Sequence, residues 1–196
     1  MNANNCSNMH TQLTALLAPV RHYDSWIAFD CETTGLPPRG RLIELGAIHF
    51  NRNQNVISEF HEFAKPPHRL PQFITQLTGI RNEQLRNAPP ACDVIDRFVR
   101  WLPPDVPLIA HNICFDLQIL AIEVPGCDRI LSNRLAVDSL TIARSMHEFP
   151  NCRLETIAHS LNAASFGKGH RVLTDARVVQ ALFLHALSKS FNSRLE

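Results

Sequence analysis

The sequence predicts a mixed α/β fold, in which a five-stranded sheet is flanked by helices. Three strand-like segments follow one another closely between Trp26 and Phe63, which indicates an antiparallel meander. From Pro71 onward the pattern changes to helical segments that alternate with two further short strands. A meander followed by alternating helices and strands is typical of a mixed sheet with helices packed on its faces.

The composition suits one well-cored soluble domain. The chain has 196 residues, of which 45% are hydrophobic, and a net charge of +1. Its apolar stretches fall far short of the roughly 18 to 20 residues that span a bilayer, and the Asn-rich N-terminus does not resemble a secretory signal. We therefore expect a cytoplasmic protein without a membrane partner. We expect an N-terminal extension over residues 1–22, a main domain over 23–190 and a C-terminal tail over 191–196.

The cysteines and the charged residues limit which metal, redox and phosphate-binding sites the chain could form. Six cysteines include no C-x-x-C pair, which argues against a zinc ribbon and a thioredoxin-like redox site. Arginine supplies 16 of the 19 cationic residues, and its planar fork suits phosphate oxygens. Because the net charge is near zero, any grip on nucleic acid must be local, from arginines such as Arg39, Arg41 and Arg171.

The first half of the chain is predicted to form the meander. The segment over residues 26–32 is a nearly continuous apolar run, as in a strand that is buried on both faces, and it ends in charged residues. Composition and alternation then predict a turn over 33–40 and two strands, over 41–50 and 56–63.

The second half is predicted to be mainly helical. Apolar residues spaced three and four apart predict a helix over residues 92–102. The following elements are, in order, a strand over 107–110, a helix from about Phe115, a strand over 135–138, and helices over 138–147, 154–161 and 174–188. The last helix is expected to start at Thr174, a residue suited to N-capping.

Two acids at the end of the first strand are the first candidate site residues. Side chains alternate along a strand, so Asp30 and Glu32 project from the same face. Two neighbouring carboxylates repel each other unless a cation lies between them. For an isolated pair, the alternative is that the strand ends at Asp30 and that both acids are solvated.

Two further acids strengthen the case for a cation. Asp116 shares a helical face with Ile119 and Leu120, and Asp175 lies on the apolar face of the last helix. Either one alone could instead complement a helix dipole. Four inward acids are better explained by a shared divalent cation site, and oxygen-only ligands favour Mg²⁺ or Mn²⁺ over zinc.

Three segments of this chain resemble, in order, the motifs of the DEDDh group of 3′→5′ exonucleases. They are FDCETTGL over residues 29–36, HNICFD over 111–116 and HRVLTDA over 170–176. That group includes the proofreading epsilon subunit of bacterial DNA polymerase III and stand-alone relatives. The similarity runs from about Trp26 to Leu187, and three ordered motifs are more specific than one.

The resemblance implies a ribonuclease-H-like fold and hydrolysis of phosphodiester bonds with two Mg²⁺ or Mn²⁺ ions. Asp30, Glu32 and Asp175 would hold the first ion, while Asp30 would bridge to a second ion near Asp116. His170 would be the general base, since an imidazole pKa of about 6.5 suits proton transfer near neutrality. The expected catalytic residues are therefore these four acids and His170.

The resemblance also implies a set of substrate-binding residues. Thr33, Thr34 and Gly35 would offer backbone groups to the terminal nucleotide, and Leu36 would wedge against a base. The remaining expected contacts are His111, Asn112 and Phe115, although His111 could be structural and Phe115 could be plain core. Two positions depart from the family pattern or vary within it: Val172 stands where a small Ala is usual, and Cys31 is expected to point away from the acids.

The expected function is metal-dependent 3′→5′ hydrolysis, mainly of single-stranded DNA, releasing nucleoside monophosphates. One alternative is an exoribonuclease that trims RNA 3′ ends, similar to RNase T or oligoribonuclease, although the Thr33-Thr34 pair resembles the DNA proofreading branch. Another is a nucleic-acid-binding module without activity, which would not need all five expected catalytic residues. The chain ends at Glu196 without the long tail of the epsilon subunit, so a polymerase partner is not expected to be required.

Overall fold

The computed structural model describes residues 12–127, 131, 133–163 and 171–192. Its strands are β1 (Ser25–Thr33), β2 (Leu42–Asn51), β3 (Val56–Phe63), β4 (Leu108–Ala110) and β5 (Ala136–Asp138). They form one sheet in the order β3-β2-β1-β4-β5. The β1, β2 and β3 strands pair antiparallel, whereas β4 pairs parallel with both β1 and β5. The predicted mixed five-stranded sheet is confirmed, and β1 lies at its centre.

Helices cover both faces of the sheet. They are α1 (Gln72–Thr78), α2 (Asn82–Leu85), α3 (Ala91–Trp101), α4 (Ile113–Glu123), α5 (Ser139–Met146), α6 (Leu154–Ser160) and α7 (Arg171–Asn192), and residues 12–17 are also helical. The predicted cap of the last helix was wrong. The chain is already helical at Arg171, so Thr174 lies inside α7, because the apolar face that packs on the sheet already includes Val172.

Alternation along β1 separates two hydrophobic clusters. Trp26 points towards α7, where its ring lies 5.1 Å from that of Phe183. Phe29 points to the opposite face, where its ring lies 5.9 Å from that of Phe98 on α3. Continuing this alternation directs Asp30 and Glu32 to the α7 face and Cys31 to the other face.

The segment that precedes β1 packs into the core on the α7 side. Leu13, Leu17 and Val20 are buried there, and Trp26 Nε1 donates a hydrogen bond to the Val20 carbonyl at 3.0 Å. Part of the expected extension is thus attached to the main domain, while residues 1–11 and 193–196 lie outside the described residues. The division of the chain at residues 22 and 190 stays a prediction.

Among the described residues, no helix is both long enough and apolar enough to cross a bilayer. The five described cysteines are free thiols, and Cys6 lies outside the described residues.

Candidate functional site

Three acids meet at the carboxyl end of β1. In the register of the sheet, Asp30 lies opposite Gly46 and Glu32 lies opposite Glu44 on β2. The long helix α7 crosses this end of the sheet and supplies Asp175. One carboxylate oxygen each from Asp30, Glu32 and Asp175 lie within 4.8 Å of one another. The structure therefore brings together three of the four acids that the sequence singled out.

The close approach of α7 to the sheet depends on Gly46. A Cβ atom at Gly46 would lie 2.4 Å from Cγ2 and 2.8 Å from Cβ of Val172, far inside normal contact distance. The absence of a side chain lets Val172 rest directly on β2. Asp175, nearly one turn further along the helix, is thereby placed above the end of β1.

The fourth acid, Asp116, approaches from the opposite face of the sheet. It lies in the first turn of α4 and is only 2% exposed, on the same buried face as Ile119 and Leu120, as predicted. Its Oδ1 atom is buried and has no hydrogen-bond partner among the described residues. Although Asp116 lies outside the 4.8 Å group, its charge raises the pKa of Asp30 more than any other charge does. A buried carboxylate oxygen without a partner is suited to a cation.

Cys31 points away from Asp30 and Glu32, as expected, but not from all four acids. On the other face of β1 its thiol forms a hydrogen bond with Asp116, in the first turn of α4. Hydrogen bonding from Cys31 opposes the rise that burial causes in the pKa of Asp116. Burial and the Asp116 charge together raise the pKa of the Cys31 thiol well above its usual value.

The four acids are harder to ionise than isolated carboxyl groups, and each has a raised pKa. Burial is the main cause of each shift: it raises the pKa of Asp30 well above its usual value and that of Asp175 above its usual value. The pKa of Glu32 rises to about 7, and so does that of Asp116. Four neighbouring oxygen donors that resist ionisation fit a divalent cation, whose positive charge would lower their pKa values again.

Arg171, on α7, favours the ionised form of two of these acids. Its Nε atom lies 3.1 Å from Glu32 Oε1 and 3.7 Å from Asp175 Oδ2, and its positive charge lowers the pKa of both acids. Its Nη1 atom also donates a hydrogen bond to the carbonyl of Leu77 on α1. Arg171 is thus bound to the acidic cluster, and Arg41, another arginine expected to hold phosphate, donates to Glu123 at 2.7 Å.

A second pair of residues beside the cluster was missed by the sequence analysis. Glu44 is 1% exposed, and its Oε1 atom lies 2.6 Å from Nε2 of His61 on β3. The Glu44 charge raises the pKa of both Glu32 and Asp175. The available signal was an acid within the otherwise apolar strand LIELGAI, since a buried strand rarely carries an unbalanced charge.

The turn after Glu32 is braced by its own threonines. The Thr33 hydroxyl donates to the Gly35 carbonyl at 2.8 Å, and the Thr34 hydroxyl accepts from the Arg41 backbone N–H at 3.0 Å. Leu36 extends from this turn and is 76% exposed. The two hydroxyls therefore shape the turn, whereas Leu36 is an apolar side chain open to solvent.

A cleft of about 920 Å³ opens beside Asp175 and is also lined by His111 and Asn112. The Nε2 atom of His111 lies 2.8 Å from the Cys152 carbonyl, so it must carry the proton, and Nδ1 then accepts from the Ser139 hydroxyl at 3.0 Å. Burial lowers the pKa of His111, which favours this neutral ring.

The other two expected contact residues are placed differently. Asn112 has a left-handed φ of 68°, and its backbone N–H donates to Asp138 at 2.8 Å, which fixes the start of α4. Phe115 is half-buried against the core cluster on the α3 side of the sheet.

His170 lies outside the described residues, so its role as a base stays a prediction.

Comparison with known proteins gives one family. A family model described as exonuclease matches residues 27–183. The chain is 31% identical over 169 residues to the DNA polymerase III subunit epsilon of Treponema pallidum, covering 84% of this chain and 77% of that protein. It is 30% identical over 161 residues to DNA polymerase III PolC-type of Thermotoga maritima, covering 82% of this chain but only 12% of that protein. The chain thus corresponds to a small part of the PolC-type relatives.

Solved structures share the fold. Exonuclease X, in complex with 5′ overhanging duplex DNA, has a TM-score of 0.66 at 17% identity and covers 83% of this chain and 91% of that one. The nuclease domain of 3′hExo, a DEDDh family member bound to rAMP, has a TM-score of 0.65 at 18% identity and covers 85% and 93%. The expected ribonuclease-H-like fold is confirmed. The three ordered motifs, the fold and the family match agree, and the chain belongs to the exonuclease family, in its DEDDh group.

Proposed function

We propose that this protein is a metal-dependent 3′→5′ exonuclease that acts mainly on single-stranded DNA and releases nucleoside monophosphates. The observation that carries the proposal is the convergence of Asp30, Glu32 and Asp175 within 4.8 Å, next to the buried and unpartnered Oδ1 atom of Asp116. A hydrolase that needs no cation would gain nothing from placing four acids with raised pKa values beside one another.

The acidic cluster suits two Mg²⁺ or Mn²⁺ ions. Asp30, Glu32 and Asp175 would hold one ion, and Asp30 with Asp116 would hold the second. When bound, such ions stabilise the negative charge on the attacking and leaving oxygens of an in-line displacement. Arg171, which contacts Glu32 and Asp175, would limit the repulsion within the cluster before the ions bind.

The remaining steps belong to side chains of this protein. His170 would accept the proton of the attacking water, because a neutral imidazole is a suitable base near neutral pH. The exposed Leu36 would pack against the terminal base, and the turn over residues 33–35 would present its backbone to the strand. Stacking and backbone contacts tolerate every base, so we expect little sequence preference.

The second part of the proposal is that the substrate is DNA rather than RNA. Exonuclease X was solved with duplex DNA and the 3′hExo nuclease domain with a ribonucleotide, so the shared fold accommodates both sugars. We favour DNA because the relatives with the higher sequence identity are DNA polymerase III proteins. We further propose that the isolated chain acts without a polymerase.

The test uses 5′-labelled single-stranded DNA and RNA 20-mers with the purified protein alone, in Mg²⁺ and in excess EDTA. We expect a ladder of DNA products shortened from the 3′ end in Mg²⁺ only, and slower cleavage of RNA. Asp30→Asn should abolish turnover while the circular dichroism spectrum is preserved, since the substitution removes a charge at nearly constant volume. Full activity of Asp30→Asn, or activity in EDTA, would overturn the metal assignment, and faster cleavage of RNA would favour the trimming enzyme.

Substrate form gives an independent check. A stacked base pair must be opened before one strand alone can reach the acidic cluster, which costs a few kcal/mol. Single-stranded and frayed 3′ ends should therefore be degraded faster than blunt duplex ends of the same sequence. Equal rates on the two substrates would contradict the proposed preference, and activity only after addition of a polymerase would contradict independent action.

A further inference from the structure

A positively charged groove starts at the turn that follows Glu32. A cavity of about 180 Å³ is lined by Thr34, Arg39 and the segment 66–69, and a second cavity of about 420 Å³ is lined by the same segment together with Lys65 and Arg86. Both cavities are lined by residues 66–69, so they are neighbours, and together their lining extends from Thr34 to Arg86. We call this surface the basic groove; its cationic side chains are Arg39, Lys65, His68, Arg69 and Arg86, with His68 cationic only when protonated.

The charge of the basic groove is local. Among the described residues that line the two cavities, Glu83 is the only acid, although the whole chain has 18 acids against 19 Lys and Arg. The four Lys and Arg side chains of the groove are exposed, and none forms a salt bridge with another described residue. By contrast, Arg41 at its edge is held by Glu123. The groove therefore presents cations whose charge is not already neutralised.

The backbone segment that carries Lys65, His68 and Arg69 is held at both ends. The Lys65 N–H donates to the Pro89 carbonyl at 2.8 Å, and the Leu70 N–H donates to the Asn82 side chain at 2.8 Å. Between these two anchors, Pro66 and Pro67 restrict the chain further. A surface fixed before binding loses little conformational entropy when a ligand binds.

We propose that the basic groove binds the phosphate backbone of the substrate strand, upstream of the nucleotides held at the acidic cluster. The proposal rests on the proposed function, because it assigns a path to the same strand. Thr34 lies two residues after Glu32, so a strand whose 3′ end reaches the acids can enter the groove directly. Several Arg and Lys side chains along the two neighbouring cavities suit a chain of phosphates, and such contacts are independent of sequence.

The test compares a long and a short ligand on the full chain. In an Asp30→Asn background, fluorescence anisotropy measures binding of labelled thymidine 20-mer and thymidine dinucleotide by the triple variant Lys65→Ala, Arg69→Ala, Arg86→Ala. We expect affinity for the 20-mer to fall tenfold or more beyond any fall for the dinucleotide. The slope of log affinity against log salt should become shallower by roughly 2, at about 0.7 per lost phosphate contact with a single strand.

The matched control is Arg100→Ala, an exposed cation on α3 outside the groove, which should bind the 20-mer like the parent. Unchanged affinity and salt slope in the triple variant would overturn the proposal. The proposal would also be overturned if poly-glutamate competed as effectively as an oligonucleotide of equal charge. The groove would then bind polyanions in general.

A parallel hydrolysis assay of the otherwise unaltered chain separates this proposal from the proposed function. If the chain degrades DNA but the triple variant binds the 20-mer normally, the groove proposal alone fails. If the chain degrades no oligonucleotide but the triple variant loses the 20-mer selectively, the groove proposal stands and the exonuclease proposal fails.

Discussion

Val172 packs directly on Gly46, at the point of β2 that lies opposite Asp30. The contact joins the first turns of α7 to the sheet and so sets how closely Asp175 approaches Asp30 and Glu32. The acidic cluster thus depends on a glycine that carries no chemistry and whose only role here is to leave room for a helix.

Gly46→Ala should therefore impair the site without touching an acid. The new methyl group would overlap Val172, and relief requires α7 to move outward, at a cost of about 1 to 3 kcal/mol of unfolding free energy. We expect turnover on single-stranded DNA to fall at least tenfold, measured together with urea unfolding. The double variant Gly46→Ala, Val172→Ala should recover part of both losses because it removes the closest atom, Cγ2. Normal turnover in the single variant would show that the position of α7 is not critical.

The raised pKa values predict that metal binding depends on pH. Glu32 has a pKa of about 7 in the folded protein against 4.5 as its ordinary value, and Asp116 about 7 against 3.8. At a pH between the ordinary and the raised pKa values, the folded state binds more protons than the unfolded state. Without metal, the contribution of these two acids to the free energy of unfolding therefore falls as the pH rises from about 4 to about 7.

A divalent ion binds the ionised acids, so it must displace those protons. The increase in melting temperature caused by Mg²⁺ should therefore be small at pH 5 and should grow up to about pH 8, relative to EDTA at each pH. Glu32→Gln should reduce the increase across this range because it removes one ligand. An increase that is the same at pH 5 and pH 8 would argue against proton displacement from these acids.

The hydrogen bond between His61 and Glu44 predicts a stabilising role next to the cluster. His61→Ala removes a partner of a buried acid and should cost about 1 to 3 kcal/mol of unfolding free energy. Because Glu44 lies opposite Glu32 in the sheet, we also expect turnover to fall by roughly tenfold. His61→Gln retains a donor and should recover part of both quantities, measured by urea unfolding and by the single-stranded DNA assay. Unchanged stability in His61→Ala would make the contact dispensable.

His170 is expected to act as the general base. Only the neutral imidazole accepts a proton, so turnover should rise with pH through the histidine titration, near an ordinary pKa of about 6.5. His170→Ala should lose roughly 10²-fold or more in turnover, while its affinity for a single-stranded 20-mer should be retained. Turnover equal to that of the unaltered chain between pH 6 and pH 9 would remove His170 from the proposed mechanism.

Local periodicity was enough to predict the direction of the acids. The two-residue repeat of a strand places Asp30 and Glu32 on one face, and the helical repeat turns Asp116 towards the core. Both follow from the geometry of a single element, so no knowledge of its neighbours is needed. The same reasoning failed at Thr174, because a residue that is favourable as a cap is also tolerated inside a helix whose apolar face is well packed.

The mixed sheet, the family and the candidate acids could thus be predicted from the amino-acid sequence, since local patterns or ordered motifs indicate each of them. Three contacts became known from the folded protein alone: Glu44 pairs with His61, Cys31 meets Asp116, and α7 rests on Gly46. Each of these contacts joins elements that are distant along the chain, and it depends on register and packing distance. Local patterns fix where a side chain points within its own element, but not which residue it meets there.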